Sequence, residues 1–174
     1  MQRWVFGVAL MLVAVASPVR AQDTCPPSKA FRLISSITPV IGKSPLWVTT
    51  GSAAIPWDGP NNPIQALWIR DLAAKGPAIL GGKLKGGTAP ARFARAALGM
   101  PEERFKFDLM GEKPSSVKPD DLQKYSFHRT FIWFPAAGCY EMTARVGPVQ
   151  SIIYLNVGQG TGKTPQVAKK PSSD

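Results

Sequence analysis

The stretch Phe134-Pro135-Ala136-Ala137-Gly138-Cys139-Tyr140-Glu141-Met142-Thr143-Ala144-Arg145-Val146-Gly147 decides how this chain folds. From position 140 it alternates. Tyr140, Met142, Ala144 and Val146 fall on one face of an extended strand, and Glu141, Thr143 and Arg145 fall on the other. That is the period-two pattern of an antiparallel sheet with one wet side. Gly147-Pro148 breaks the run. Residues 149–157 then read as a partner strand, with Ile153, Leu155 and Val157 on its apolar face, and residues 127–134 as the strand before it. Three consecutive strands joined by short Pro- and Gly-bearing turns predict an all-β protein.

Working outward, residues 45–51 are rich in strand-favouring types and bounded by Pro and Gly. Residues 64–71 read as a central strand, with Leu67 and Ile69 on one side and Ala66 and Trp68 on the other. Residues 78–84 follow as a strand expected to bulge or turn at Gly81-Gly82. Residues 31–36 are expected as a first strand, and residues 55–63, centred on Asp58-Gly59, as a loop. Residues 89–98 read as a short helix capped by Thr88, with Phe93, Ala94, Ala97 and Leu98 on one side. Residues 104–109 alternate, Phe105, Phe107 and Leu109 against Arg104, Lys106 and Asp108. Residues 111–121 are a polar loop or a single helical turn beginning near Pro119.

Gly 16 and Pro 17 in 174 residues disfavour a helical bundle and agree with many short elements joined by turns. At this length one compact domain is expected, which excludes large two-domain enzymes.

The beginning of the chain reads as an address. Met1-Gln2-Arg3 is followed by an apolar run over residues 4–16, then by small residues ahead of a cut after Ala21, which is the layout of a secretory signal peptide. The run is shorter than the ~20 residues that span a bilayer. The mature chain, residues 22–174, is therefore expected outside the cytoplasm, periplasmic or secreted. Cys25 lacks the small-residue box that precedes a lipid-modified cysteine. Taking Arg3 and Arg20 from the 21 Lys and Arg, and none of the 11 Asp and Glu, leaves a net charge of +8, so the basic character does not come from the signal. In an exported chain two cysteines are expected to form one disulfide, Cys25 with Cys139.

The 134–147 stretch also resembles the late strands of immunoglobulin-like domains in bacterial secreted proteins, where a pattern F-P-x-x-G-C-[WY]-E-x-T leads into a penultimate strand and a final hairpin. Ser44-Pro45-Leu46-Trp47 is similar to a segment of uncharacterised members of that group. The resemblance implies an immunoglobulin-like antiparallel β-sandwich over residues 22–157, with Tyr140 plugging the end of its core. Residues 86–125 are then an insertion or elaborated connection carrying one or two short helices, and residues 158–174 a flexible basic tail. The pairing of two cysteines on facing strands is not reproduced, because Cys25 precedes the first strand. The resemblance brings no catalytic residues.

Chemistry-bearing motifs are sparse. Gly158-Gln159-Gly160-Thr161-Gly162-Lys163-Thr164 ends like a phosphate-binding loop, but Val157 stands where its first glycine is needed and Pro165 blocks the helix that must follow. His128 is the only histidine, so a metal centre or a triad has little material. No Gly-x-Ser-x-Gly elbow occurs. No catalytic residue, cofactor or metal ligand is assigned, and a non-enzymatic binding or interaction module is expected. Its ligand-binding candidates are Trp57, beside the Asp58-Gly59 turn, and the cations Lys83, Lys85, Arg92 and Arg95 in the densest basic region. Their partner would be an anionic cell-surface polymer, a carbohydrate or another extracytoplasmic protein, and not nucleic acid.

Overall fold

The structure is a computed structural model and describes residues 25–51 and 54–159. The signal peptide expected over residues 1–21 and most of the basic tail lie outside the described residues. In chain order the elements are β1 (Ile41–Lys43), β2 (Leu46–Thr49), β3 (Ala54–Trp57), β4 (Ile64–Asp71), β5 (Ala78–Leu84), β6 (Arg92–Ala94), β7 (Phe105–Phe107), α1 (Pro119–Lys124), β8 (Tyr125–Trp133), β9 (Gly138–Val146) and β10 (Val149–Gln159). The chain is all-β, as its patterning predicts. Two sheets form, in the orders β1-β2-β4-β8-β6 and β3-β10-β9-β5-β7. All strand pairs are antiparallel except β3 with β10.

The alternation of the 134–147 stretch is realised residue by residue. Tyr140, Met142, Ala144 and Val146 of β9 are buried against Leu46, Val48, Trp68, Phe93 and Ile132 from the other sheet, with Leu80, Ile153, Leu155 and Val157 completing the shared core. Trp68 is wholly buried, and its indole N–H is satisfied by the Thr130 hydroxyl at 3.0 Å, so a large ring enters the core without an orphaned donor. Tyr140 is wholly buried in this core. Its hydroxyl donates to the Ala136 carbonyl at 3.0 Å and lies 3.3 Å from the Ala136 N–H, which ties strand β9 to the corner it has just turned.

The two sheets differ on their outer faces. The β1-β2-β4-β8-β6 sheet is covered by a second cluster, in which Trp47, Ile69 and Phe127 of the strands meet Ile34 and Val40 from the lead-in and Val117 from the segment before α1. β4 is therefore covered on both sides, which explains why Ala66, Leu67, Trp68 and Ile69 put apolar side chains on both of its faces. The outer face of the other sheet stays wet, as Glu141, Thr143 and Arg145 require. A disulfide joins Cys25 to Cys139 with Cα atoms 5.2 Å apart, as the even cysteine count predicts, and pins the lead-in to the start of β9.

Four expectations are corrected. Residues 31–36 are not a strand: Phe31 makes one isolated bridge to Val40, and Ile34 anchors the second cluster. Residues 55–57 are not loop but belong to β3, because the final strand is long enough to offer them its free edge; Pro56, which cannot serve a central strand, sits on that outermost strand. Residues 89–98 are not a helix. Arg92–Ala94 pairs with Trp133, Ile132 and Phe131 of β8, and Phe93 fills the inter-sheet core, a tertiary gain that outweighs weak helix propensity. Gly81-Gly82 neither bulges nor turns. β5 runs straight through both, paired to Thr143 and Met142. Gly82 is there for space: a Cβ would stand 2.5 Å from the Met142 sulfur. The segment 86–125 thus supplies one strand to each sheet as well as its one helix, α1, which starts at Pro119 as expected.

Candidate functional site

Trp57 lies at the end of β3, half-buried, with its ring packed against the core and its indole N–H donating to the Phe134 carbonyl at 2.9 Å. The indole is engaged by the fold on its polar side and partly covered on its apolar side. The four cations grouped by sequence have different local settings. Lys83 stands exposed on the wet face of β5, opposite Glu141 in the register with β9. Lys85 is half-buried just beyond β5, its backbone N–H bonded to the Cys139 carbonyl at 2.8 Å. Arg92 belongs to β6 on the opposite sheet and forms an exposed ion pair with Glu103 at 3.9 Å. Arg95 lies over the Phe105 ring, 5.8 Å from its centroid, at a different cavity.

Two cavities bear on function. The larger, about 410 Å³, is an open groove over the wet face of β5 and β9. Cross-strand register places Gly81 and Thr143 in its middle row, Lys83 and Glu141 in the row to one side, and Ile79, Arg145 and Gln150 in the row to the other; Ile152, Tyr154 and Lys106 continue these rows beyond the groove's lining. Because Gly81 has no side chain, the middle row is sunken. Pro90, Glu103 and Arg104 form a wall along it. Lys83, Arg104 and Arg145 all line the groove, and among the described residues none of them is in an ion pair. Of the acids that line it, Glu103 is engaged by Arg92, and Glu141 accepts a hydrogen bond from the Tyr154 hydroxyl at 3.4 Å.

Sequence reasoning named Lys83 here but missed Arg145. The signal was present in the alternation of β9, which puts Arg145 on the wet face. What was hidden was that β5 pairs with β9, a contact between residues some sixty positions apart in the chain.

The second cavity, about 260 Å³, opens where β7 and β8 approach, between Phe105, Phe107, Phe127 and Met110. His128 reaches it from β8, buried, stacked on Phe107 at 4.0 Å between centroids, with Nε2 and the Ser126 hydroxyl 3.0 Å apart. Burial, then the positive charges of Arg70 and Arg95, push the His128 pKa down to about 4, with Asp108 countering weakly. A serine–histidine contact invites a nucleophilic reading. An imidazole that resists protonation until pH 4 is a poor acceptor for a hydroxyl proton, and Ser126 is buried away from the cavity lining. The pairing is better understood as mutual satisfaction of two polar groups inside a sandwich. Cys139, the other conceivable nucleophile, is held in the disulfide.

Among the described residues no three His, Cys, Asp or Glu side chains come together to hold a metal ion, and no helix is long and apolar enough to cross a membrane. No protein family, curated protein or solved structure matches the chain.

Proposed function

We propose that this chain is an exported immunoglobulin-like β-sandwich that acts by binding and not by catalysis, its partner an anionic polymer or another protein outside the cytoplasm. The observation that carries this reading is the strand order. Taken as A, B, E and D, the strands β2-β4-β8-β6 stand in the order of one immunoglobulin sheet, and β5-β9-β10 in the C-F-G order of the other. The Tyr140 hydroxyl bonded to Ala136 supports it further, since a tyrosine on the penultimate strand tied to backbone just upstream is a recurring corner of such domains. Two departures mark this chain: β6 precedes β7, so the chain visits the first sheet before returning to the second, and the disulfide runs from the lead-in to β9 instead of between facing strands.

The export half of the reading rests on residues 1–21 and agrees with the disulfide, which persists in oxidising compartments. The test is expression of the full chain in a bacterium with a working secretion system, followed by fractionation and N-terminal sequencing. The expected product is extracytoplasmic, begins at Gln22 and carries no free thiol. Full-length protein retained in the cytoplasm with two titratable thiols would overturn it.

A further inference from the structure

We propose that the groove over Gly81 and Thr143 binds an acidic polysaccharide, a chain of sugars bearing both carboxylates and free hydroxyls. This rests on the reading of the protein as an exported binding module and gives that module a site and a ligand class.

Shape, charge and polarity point the same way. The groove has about 410 Å³, within the ~300–1,000 Å³ typical of small-ligand sites. It runs across the strands, because Gly81 and Thr143 of its sunken row lie on β5 and β9 and Gln150 of its lining lies on β10. Ile152, the next residue along that row on β10, is 48% exposed and offers an apolar surface just beyond the groove's lining on which a sugar ring can rest.

The rim carries Lys83, Arg104 and Arg145, outside any ion pair among the described residues, and these supply the attraction for carboxylates. Glu103 and Glu141 argue against a plain polyanion. A uniformly charged chain, acidic peptide or phosphate polymer, would meet two carboxylates inside the groove and be repelled. A ligand that interleaves hydroxyls with its carboxylates turns the same residues to advantage, since Glu141, Thr143 and Gln150 accept or exchange hydrogen bonds with hydroxyls while the three cations hold the acids.

The experiment uses the folded, disulfide-bonded mature protein and measures its binding to polygalacturonate, a uronic-acid polymer, by titration calorimetry at moderate salt. Dextran serves as the uncharged control and poly-glutamate as the charged control without hydroxyls. The expected result is binding to polygalacturonate, with dextran and poly-glutamate weaker by about tenfold or more. Lys83→Gln, Arg104→Gln and Arg145→Gln should each weaken binding roughly two- to fivefold. Arg95→Gln, which stands outside the groove lining and lies over the Phe105 ring at the second cavity, should leave it unchanged.

Gly81→Leu fills the sunken row and should abolish binding while the thermal midpoint stays near that of the parent, because the nearest atom to a Cβ there is 3.9 Å away. Should that variant fold poorly, Thr143→Arg on the exposed face tests the same row. Equal binding to poly-glutamate, unchanged binding by the three cation variants, or no binding to polygalacturonate would each overturn the proposal. If the product begins at Gln22 outside the cytoplasm yet ignores the polymer, this inference alone has failed. If export fails, the parent reading has.

Discussion

Two adjacent glycines show how differently one residue type is used along a strand. Gly82 points into the core, where a methyl group in place of its hydrogen would lie 2.5 and 3.0 Å from Met142 Sδ and Cε and 3.4 Å from Ala91. Gly81 points to solvent, with nothing nearer than 3.9 Å. Gly82→Ala is therefore expected to lower stability by about 1–3 kcal/mol through overpacking. Gly81→Ala should stay within about 0.5 kcal/mol of the parent. Urea unfolding midpoints of the two variants check this, and equal losses would show that the space behind Gly82 is not what selects glycine.

Arg70 is the other residue whose placement the sequence conceals. It shares the inward face of β4 with Ala66 and Trp68, is wholly buried, and its Nη2 donates to the Ala74 and Gly76 carbonyls, which pins the turn between β4 and β5. Its Nε and Nη1 have no hydrogen-bond partner among the described residues, an arrangement that sets a positive charge inside the sandwich and is felt at His128.

At the scale of elements, the long-range ties govern. The disulfide closes a span of 114 positions, so its removal frees the unfolded chain of a large restraint. The loop-closure relation gives about 4–5 kcal/mol for such a span, and measured values usually reach about 2–4. Dithiothreitol, or the pair Cys25→Ser and Cys139→Ser, should lower the unfolding free energy by that order. An unchanged urea midpoint after confirmed reduction would show that the bridge adds nothing to the folded state.

The elements legible in the sequence were those with strong alternation and clear punctuation. Residues 64–71 and 78–84 were bounded as they stand, and β8, β9 and β10 to within a residue or two. The short elements β3 and β6 were not. Each owes its extended form to a partner far away in the chain, β10 for β3 and β8 for β6, and three or four residues carry too little pattern to reveal such a partner.

For the whole molecule, the single histidine makes a measurable pH dependence. Folded His128 titrates at about 4 against the usual 6.5. Below pH 6.5 the unfolded chain accepts a proton that the folded protein refuses until about pH 4. The stability held in neutral His128 is therefore complete above pH 6.5, falls as pH drops towards 4, and levels off below. The shift corresponds to roughly 3 kcal/mol at most. Chemical unfolding between about pH 7.5 and 4 should show this decline, and His128→Gln, which keeps a hydrogen-bonding group beside Ser126, should lose that part of it. A variant with the parent's full pH slope would assign the decline to other groups.

The sequence by itself determined the all-β class, the main strands and their buried faces, and the partners of the disulfide, because alternation, turn chemistry and cysteine count are local or countable properties. The tertiary structure decided which cations share a surface. Lys83, Lys85, Arg92 and Arg95 lie within thirteen positions yet have different local settings, while Lys83, Arg104 and Arg145 come together because β5 pairs with β9 on one side and with β7, next to Arg104, on the other. Charge adjacency on a sheet is set by cross-strand register, and register depends on contacts that no short window of sequence contains.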